Sequence, residues 1–155
     1  MSFRIKGLPA EPFRHLFALS DAELARHNAL RRIADSRNPG YPCRVSLEDS
    51  RPGDELLLVN YEHLPVASPY RMRFAVYVRK DDETYDRIDE VPGQLRKRML
   101  AVRAFDGAGM MRGCELTDGR ELEGAIAKLL ADPEADYLHI HYAAPGCYAA
   151  RVERA

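Results

Sequence analysis

The sequence predicts an α+β fold: a mostly antiparallel sheet of about seven strands with two main helices, in a single domain spanning residues 1–155. Three observations lead there. Period-two stretches bounded by Gly, Pro, Asn and Asp recur along the chain, whereas only two long segments carry a helical period. Neighbouring strand-like runs are joined by turns more often than by helices, which favours hairpins over β-α-β crossovers. The length is that of one domain whose core can stand without disulfides or a structural metal.

Taken in order, residues 3–6 alternate as a short first strand. Residues 11–18 carry Pro12 early and Phe13, Leu16 and Phe17 on one side, the pattern of a short helix. Ser20 and Glu23 have capping-box spacing, in which each side chain takes up a backbone N–H that the helix start leaves orphaned. Leu19 and Leu24 occupy the positions of a hydrophobic staple. Ala22, Ala25, Ala29 and Ile33 continue at helical spacing, so this helix is expected to run until Asn38-Pro39-Gly40 ends it.

From Tyr41 the period changes. Residues 43–47 alternate like a strand, and 48–54 are rich in turn formers. Residues 55–60, ELLLVN, form an apolar run of strand length and are expected to lie centrally in a sheet. Residues 61–70 contain Pro65 and Pro69 and are expected to leave it. Residues 73–79 set Phe74, Val76 and Val78 on one face of a further strand. The acidic stretch 80–92 reads as a surface connection with room for a turn of helix. Residues 95–106 and 110–117 are strand-like around Gly107 and Gly109. Asp118 then offers an N-cap, and Leu122, Ala125, Ile126, Leu129 and Leu130 form one helical stripe that Asp132-Pro133 stops. Residues 137–142 and 147–153 pair as a hairpin about Pro145-Gly146.

Composition narrows the function classes. Lys plus Arg number 23 against 24 Asp plus Glu, a formal charge of −1, which argues against a nucleic-acid sleeve and an acidic disordered tail alike. No apolar run has the length of a membrane span, and Met1-Ser2-Phe3-Arg4 does not open a signal peptide, so neither membrane insertion nor export is expected. Three widely spaced cysteines, Cys43, Cys114 and Cys147, are not a secreted disulfide framework and point to a reducing cytoplasm. Cys43 and Cys114 are both expected to be buried and inert. No Walker loop, G-x-S-x-G or G-x-G-x-x-G is present, and no motif names a cofactor.

Three groups of residues carry chemistry. His139 and His141 are two apart on a strand, so both imidazoles share a face and could reach one metal ion or anion. Cys147 lies beyond the turn and, with His141 as base, is a candidate nucleophile. A type II turn centred on Pro145-Gly146 sets His141 against Ala150 and His139 against Val152, with Cys147 on the opposite face. A changed loop length or a β-bulge would instead put the thiol with the histidines. The third group is Tyr61, His63, Tyr70 and Arg71, with Arg44 and His141, whose donors and charge suit an anion or carboxylate pocket.

Several of these segments share a likeness: PCRVSLED at 42–49, GDELLLVNYEH at 53–63, SPYR at 68–71, GAGM at 107–110 and HYAAPGCYAARV at 141–152. Together they resemble an uncharacterised bacterial family, Domain of Unknown Function twelve-oh-three, and the likeness runs from Phe3 to Arg154. The resemblance implies a small stand-alone bacterial protein and carries no activity, cofactor or catalytic residue with it. The residues themselves lead first to a cytoplasmic binding or accessory protein for a small anionic ligand or a partner peptide. The alternative is a small enzyme using Cys147 and His141, or a metal held by His139 and His141. A homo-oligomer formed through an exposed sheet edge is a further expectation.

Overall fold

A computed structural model describes residues 1–155. Nine strands, β1 (Phe3–Lys6), β2 (Ala29–Ile33), β3 (Glu55–Leu64), β4 (Met72–Arg79), β5 (Asp86–Ile88), β6 (Met99–Phe105), β7 (Met111–Asp118), β8 (Tyr137–Tyr142) and β9 (Tyr148–Arg154), divide between two sheets. The larger has the order β5-β1-β9-β8-β6-β7 and the smaller β2-β3-β4, every pair within them antiparallel. The helices are α1 (Glu11–Arg14), α2 (Asp21–Arg26), α3 (Gly93–Arg96) and α4 (Leu122–Leu130). The predicted α+β class and antiparallel pairing hold, and the strands number nine in two sheets rather than about seven in one.

The extra strands come from two segments whose local signal was overridden. The second helix has its capping box, with Ser20 accepting from the Glu23 backbone and Glu23 from that of Ser20, but it ends at Arg26 rather than near Asn38. Asn28 takes a left-handed φ of 50°, which turns the chain, and Ala29–Ile33 then pairs along β3. Isoleucine is a good strand residue, and alanine's helix preference is weak enough for pairing with a neighbouring strand to override it. In the acidic stretch, Asp86–Ile88 adds an exposed edge strand to β1 in place of the expected helical turn. The strand-like alternation at 43–47 is instead a turn held by single bridges at Pro42 and Cys43. Residues 93–96 form α3, so the strand expected from residue 95 begins at Met99.

The stack has three layers. Helix α4 presents Leu122, Ala125, Ile126, Leu129 and Leu130, all buried as its stripe predicts, to Leu100, Val102, Leu138 and Ile140 on one face of the larger sheet. The other face meets the smaller sheet, where Leu57, Val59, Val76 and Val78 pack with Tyr148. Strand β8 is therefore buried at every position. By parity, Leu138 and Ile140 face the helix layer, which leaves His139 and His141 between the two sheets.

Candidate metal centre

Two β-bulges build the site. Strand β3 does not leave the sheet after Asn60 as expected but runs on to Leu64, because Pro65 lies just beyond its end. Tyr61 pairs with Phe74 and Leu64 with Met72, so β3 carries one residue more than β4 in this interval. The irregularity lets His63 and the adjacent Leu64 both be buried. On β9 the pairing steps from Ile140↔Ala150 to His141↔Tyr148, again with one extra residue. That brings the Tyr148 ring onto the histidine face, where it stacks on His63 with centroids 4.8 Å apart and planes 19° off parallel.

The hairpin register differs from the expected one. His139 pairs with Arg151 rather than Val152, a one-residue shift that alone would have moved Cys147 to the histidine face. The bulge reverses it. Cys147 lies opposite Tyr142, whose N–H donates to the Cys147 carbonyl, and its side chain packs into the helix-side core.

The convergence that results is His63, His139 and His141. One ligand nitrogen from each lies within 4.8 Å of the others, and the side chains are 8%, 2% and 1% exposed. Phe105 and Tyr137 stand against His139 at centroid distances of 5.5 and 5.2 Å, so the walls are aromatic. Both ring nitrogens of His63 and Nδ1 of His139 are buried without a hydrogen-bond partner. Buried polar atoms are nearly always satisfied, and leaving one unpaired costs about 1–3 kcal/mol, so three in one cluster need a physical reason. His141 differs: its Nδ1 lies 2.9 Å from the Gly146 carbonyl oxygen.

Electrostatics keeps the cluster neutral. Burial pushes His63 down to about 4, opposed by the Tyr61 backbone and assisted by the Arg103 charge. Burial likewise takes His141 to about 4, opposed by the Gly146 carbonyl and assisted by Arg103, His63 and Arg44. His139 is lowered well below its ordinary value by burial, then by His63 and His141. Neutral imidazoles with free lone pairs are the form that binds transition metals.

The other predicted residues are dispersed. Tyr61 packs its ring 5.1 Å from Phe13, against the core cluster that contains Tyr148. Tyr70 is exposed and edge-on to Phe105. Arg71 is at the surface, its Nε donating to Glu62 at 2.5 Å. Arg44 is buried beside Cys147, its Nη2 donating to the sulfur at 2.9 Å. Thus His63 and His141 meet, while Tyr61, Tyr70, Arg71 and Arg44 point to separate neighbours. Cys43 is buried as expected, its thiol pushed up by burial, whereas Cys114 is exposed on β7, an edge strand of the larger sheet. His63, expected on a loop in the anion pocket, joins the cluster from strand β3 instead.

Fold and site together define a two-sheet α+β domain with a buried three-histidine cluster between its sheets. The chain belongs to the family described as "Protein of unknown function (DUF1203)", whose pattern it matches over residues 40–154. The match begins after the N-terminal strand and first helices, later than the likeness from Phe3, and contains all three histidines. No curated protein and no solved structure matches the chain. No helix is long and apolar enough to cross a membrane.

Proposed function

We propose that the chain is a metal-dependent protein in which His63, His139 and His141 hold one divalent transition-metal ion, zinc first among them. The observation that carries this is the cluster of mutually close imidazole nitrogens buried without partners. His63, His139 and His141 would hold such an ion through one nitrogen each, and three imidazoles are a donor set that catalytic zinc takes. Because all three ligands are neutral, the ion would retain its full charge, the condition that most strongly acidifies a bound water. An ion held there would supply the chemistry of metal-assisted hydrolysis or hydration.

This reading replaces the small-anion pocket at Tyr61, Tyr70 and Arg71 as the leading one, since those side chains have separate neighbours. It also favours the metal over the Cys147 and His141 nucleophile, since the nearest hydrogen-bonding partner of each is something else: Arg44 for the thiol and Gly146 for the imidazole. We place the protein in the cytoplasm, where three unpaired cysteines stay reduced. Elemental analysis of untagged protein purified without chelator is the test. About one zinc or other transition metal per chain, lost in His63→Ala and in His139→Ala, is the expected result. Protein that stays metal-free after incubation with zinc, iron, copper and nickel salts rules the reading out.

A further inference from the structure

On the opposite face of the β8–β9 hairpin lies a cleft of about 370 Å³, whose polar lining includes Arg44, Tyr77, Arg98 and Cys147. Arg44 is the unusual member. It is only 2% exposed, yet its protein partners are two backbone carbonyls and a sulfur. Nε donates to Tyr148 O at 2.8 Å, Nη1 to Pro42 O at 2.6 Å and Nη2 to Cys147 Sγ at 2.9 Å. A guanidinium has five N–H donors, so two are unspent, and no carboxylate offsets its charge. Burying a cation in this way is costly, and a paired anion would offset the cost.

The neighbouring Arg98 shows what a compensated guanidinium looks like in the same cleft. It forks onto Asp49, with Nη2 and Nη1 at 2.8 and 3.2 Å from the two carboxylate oxygens. Both guanidiniums lie over the ring of Tyr142, at 5.0 and 5.2 Å from its centroid, and Gln94 accepts from that tyrosine's hydroxyl. The aromatic platform and its anchor thus hold Arg44 in place. With Arg98 neutralised, one unit of positive charge is left for a ligand. The remainder of the lining is largely apolar, with Pro42, Met99, Ala143 and Pro145 prominent.

We infer that this cleft binds a small organic monoanion, a carboxylate head on Arg44 with a short apolar body against Tyr142, Met99 and Pro145. A forked carboxylate uses two guanidinium N–H groups in one plane, which is the number Arg44 has free. A dianionic phosphate would bring one charge too many and no apolar body. The site is separate from the three histidines, and neither assignment depends on the other.

The test is an NMR titration of the whole chain with pentanoate, pentanamide and inorganic phosphate in parallel. Pentanoate shifts the Arg44 Nε–H and the amides of Gly146, Cys147 and Tyr148 saturably, and pentanamide, which lacks the charge, binds about tenfold weaker or worse. Arg44→Gln abolishes the difference between acid and amide. If that variant does not fold, the comparison of the three ligands on the unaltered chain still decides. Equal binding of acid and amide, tighter binding of phosphate than of pentanoate, or no saturable shift at these signals overturns the inference.

Discussion

The Nδ1 of His141 lies 2.9 Å from the carbonyl oxygen of Gly146, five residues on, across the turn that joins β8 to β9. A carbonyl only accepts, so the imidazole proton must sit on Nδ1, and Nε2 is left with its lone pair for the cluster. Backbone partners of this kind fix the tautomer and aim of metal-binding histidines. The turn is itself set by sequence: the Gly146 N–H donates to Tyr142 O at 2.8 Å, and Gly146 has a φ of +77°.

Gly146→Ala should therefore weaken metal binding without touching a ligand. A Cβ there meets nothing within 4 Å, so the penalty is that of the left-handed backbone alone. It should cost about 1 kcal/mol of stability. Metal affinity should fall about tenfold or more as the carbonyl shifts from Nδ1. Denaturant melts and competition against a chromogenic chelator measure the two effects separately. Unchanged affinity alongside the expected loss of stability would show that the carbonyl does not orient the ring.

With metal stripped, stability should decline as pH falls from about 6.5 towards 4. The sign follows from burial, which lowers His63 and His141 to about 4 in the folded chain while both sit near the ordinary value when unfolded. Well above the ordinary histidine pKa both states are neutral and the histidines contribute no slope. Below it the unfolded chain binds protons that the folded chain refuses, so each histidine lowers stability by up to about 1.4 kcal/mol per pH unit. His139 acts in the same direction. Urea melts at pH 7.5, 6 and 5 give the slope. A flat profile would mean that the cluster takes up protons as freely as water-exposed imidazoles.

Much of the fold could be read from single-segment patterns, and much of the site could not. The stripe on α4 and the parity of His139 and His141 are local properties, fixed by 3.6- and 2-residue periods. Ala29–Ile33 became a strand because β3 offered it a partner, which no local period encodes. His63 was expected on a loop rather than within the sheet for a related reason. Prolines at 65 and 69 imply that the chain leaves the sheet, but the departure comes after Leu64, one bulge later than the composition indicates. The Cys147 question hung on two opposed one-residue offsets in β9, a shifted register and a bulge. Either alone would have placed a thiol with the histidines. Their cancellation accompanies the packing of Tyr148 against His63, a contact between segments 85 residues apart in the chain.

Two glycines near the second long helix should respond to alanine with opposite signs. A Cβ on Gly119 would lie 1.9 Å from the Leu95 carbonyl oxygen and 2.8 Å from its carbon, both backbone atoms of α3. The two segments would have to separate, so Gly119→Ala should cost about 3 kcal/mol or more. Gly124 sits exposed inside α4 with open space around its Cα. Gly124→Ala should gain about 0.5–1 kcal/mol from reduced backbone freedom in the unfolded chain. Chemical denaturation of the two variants checks the pair, and a stabilising Gly119→Ala would show that α3 does not pack there.

The most diagnostic substitution is His63→Leu, because a metal ligand and a structural histidine predict opposite results. Both nitrogens of His63 are buried without a full hydrogen-bond partner, only the Tyr61 backbone lying near enough to act on its titration, so little hydrogen bonding is lost with the imidazole. Leucine has a similar volume, can pack against Tyr148 and removes two unsatisfied polar atoms. The metal-free variant should be as stable as the parent or more so, by up to about 2 kcal/mol. Zinc should tell the other half. Saturating metal should raise the stability of the parent by about 4 kcal/mol at a thousandfold excess over the dissociation constant, and that of His63→Leu hardly at all. Paired thermal melts with zinc and with chelator read both quantities from the same samples. A metal-free His63→Leu destabilised by several kcal/mol, with no zinc-dependent shift in the parent, would make His63 a packing residue and leave the cluster without a metal.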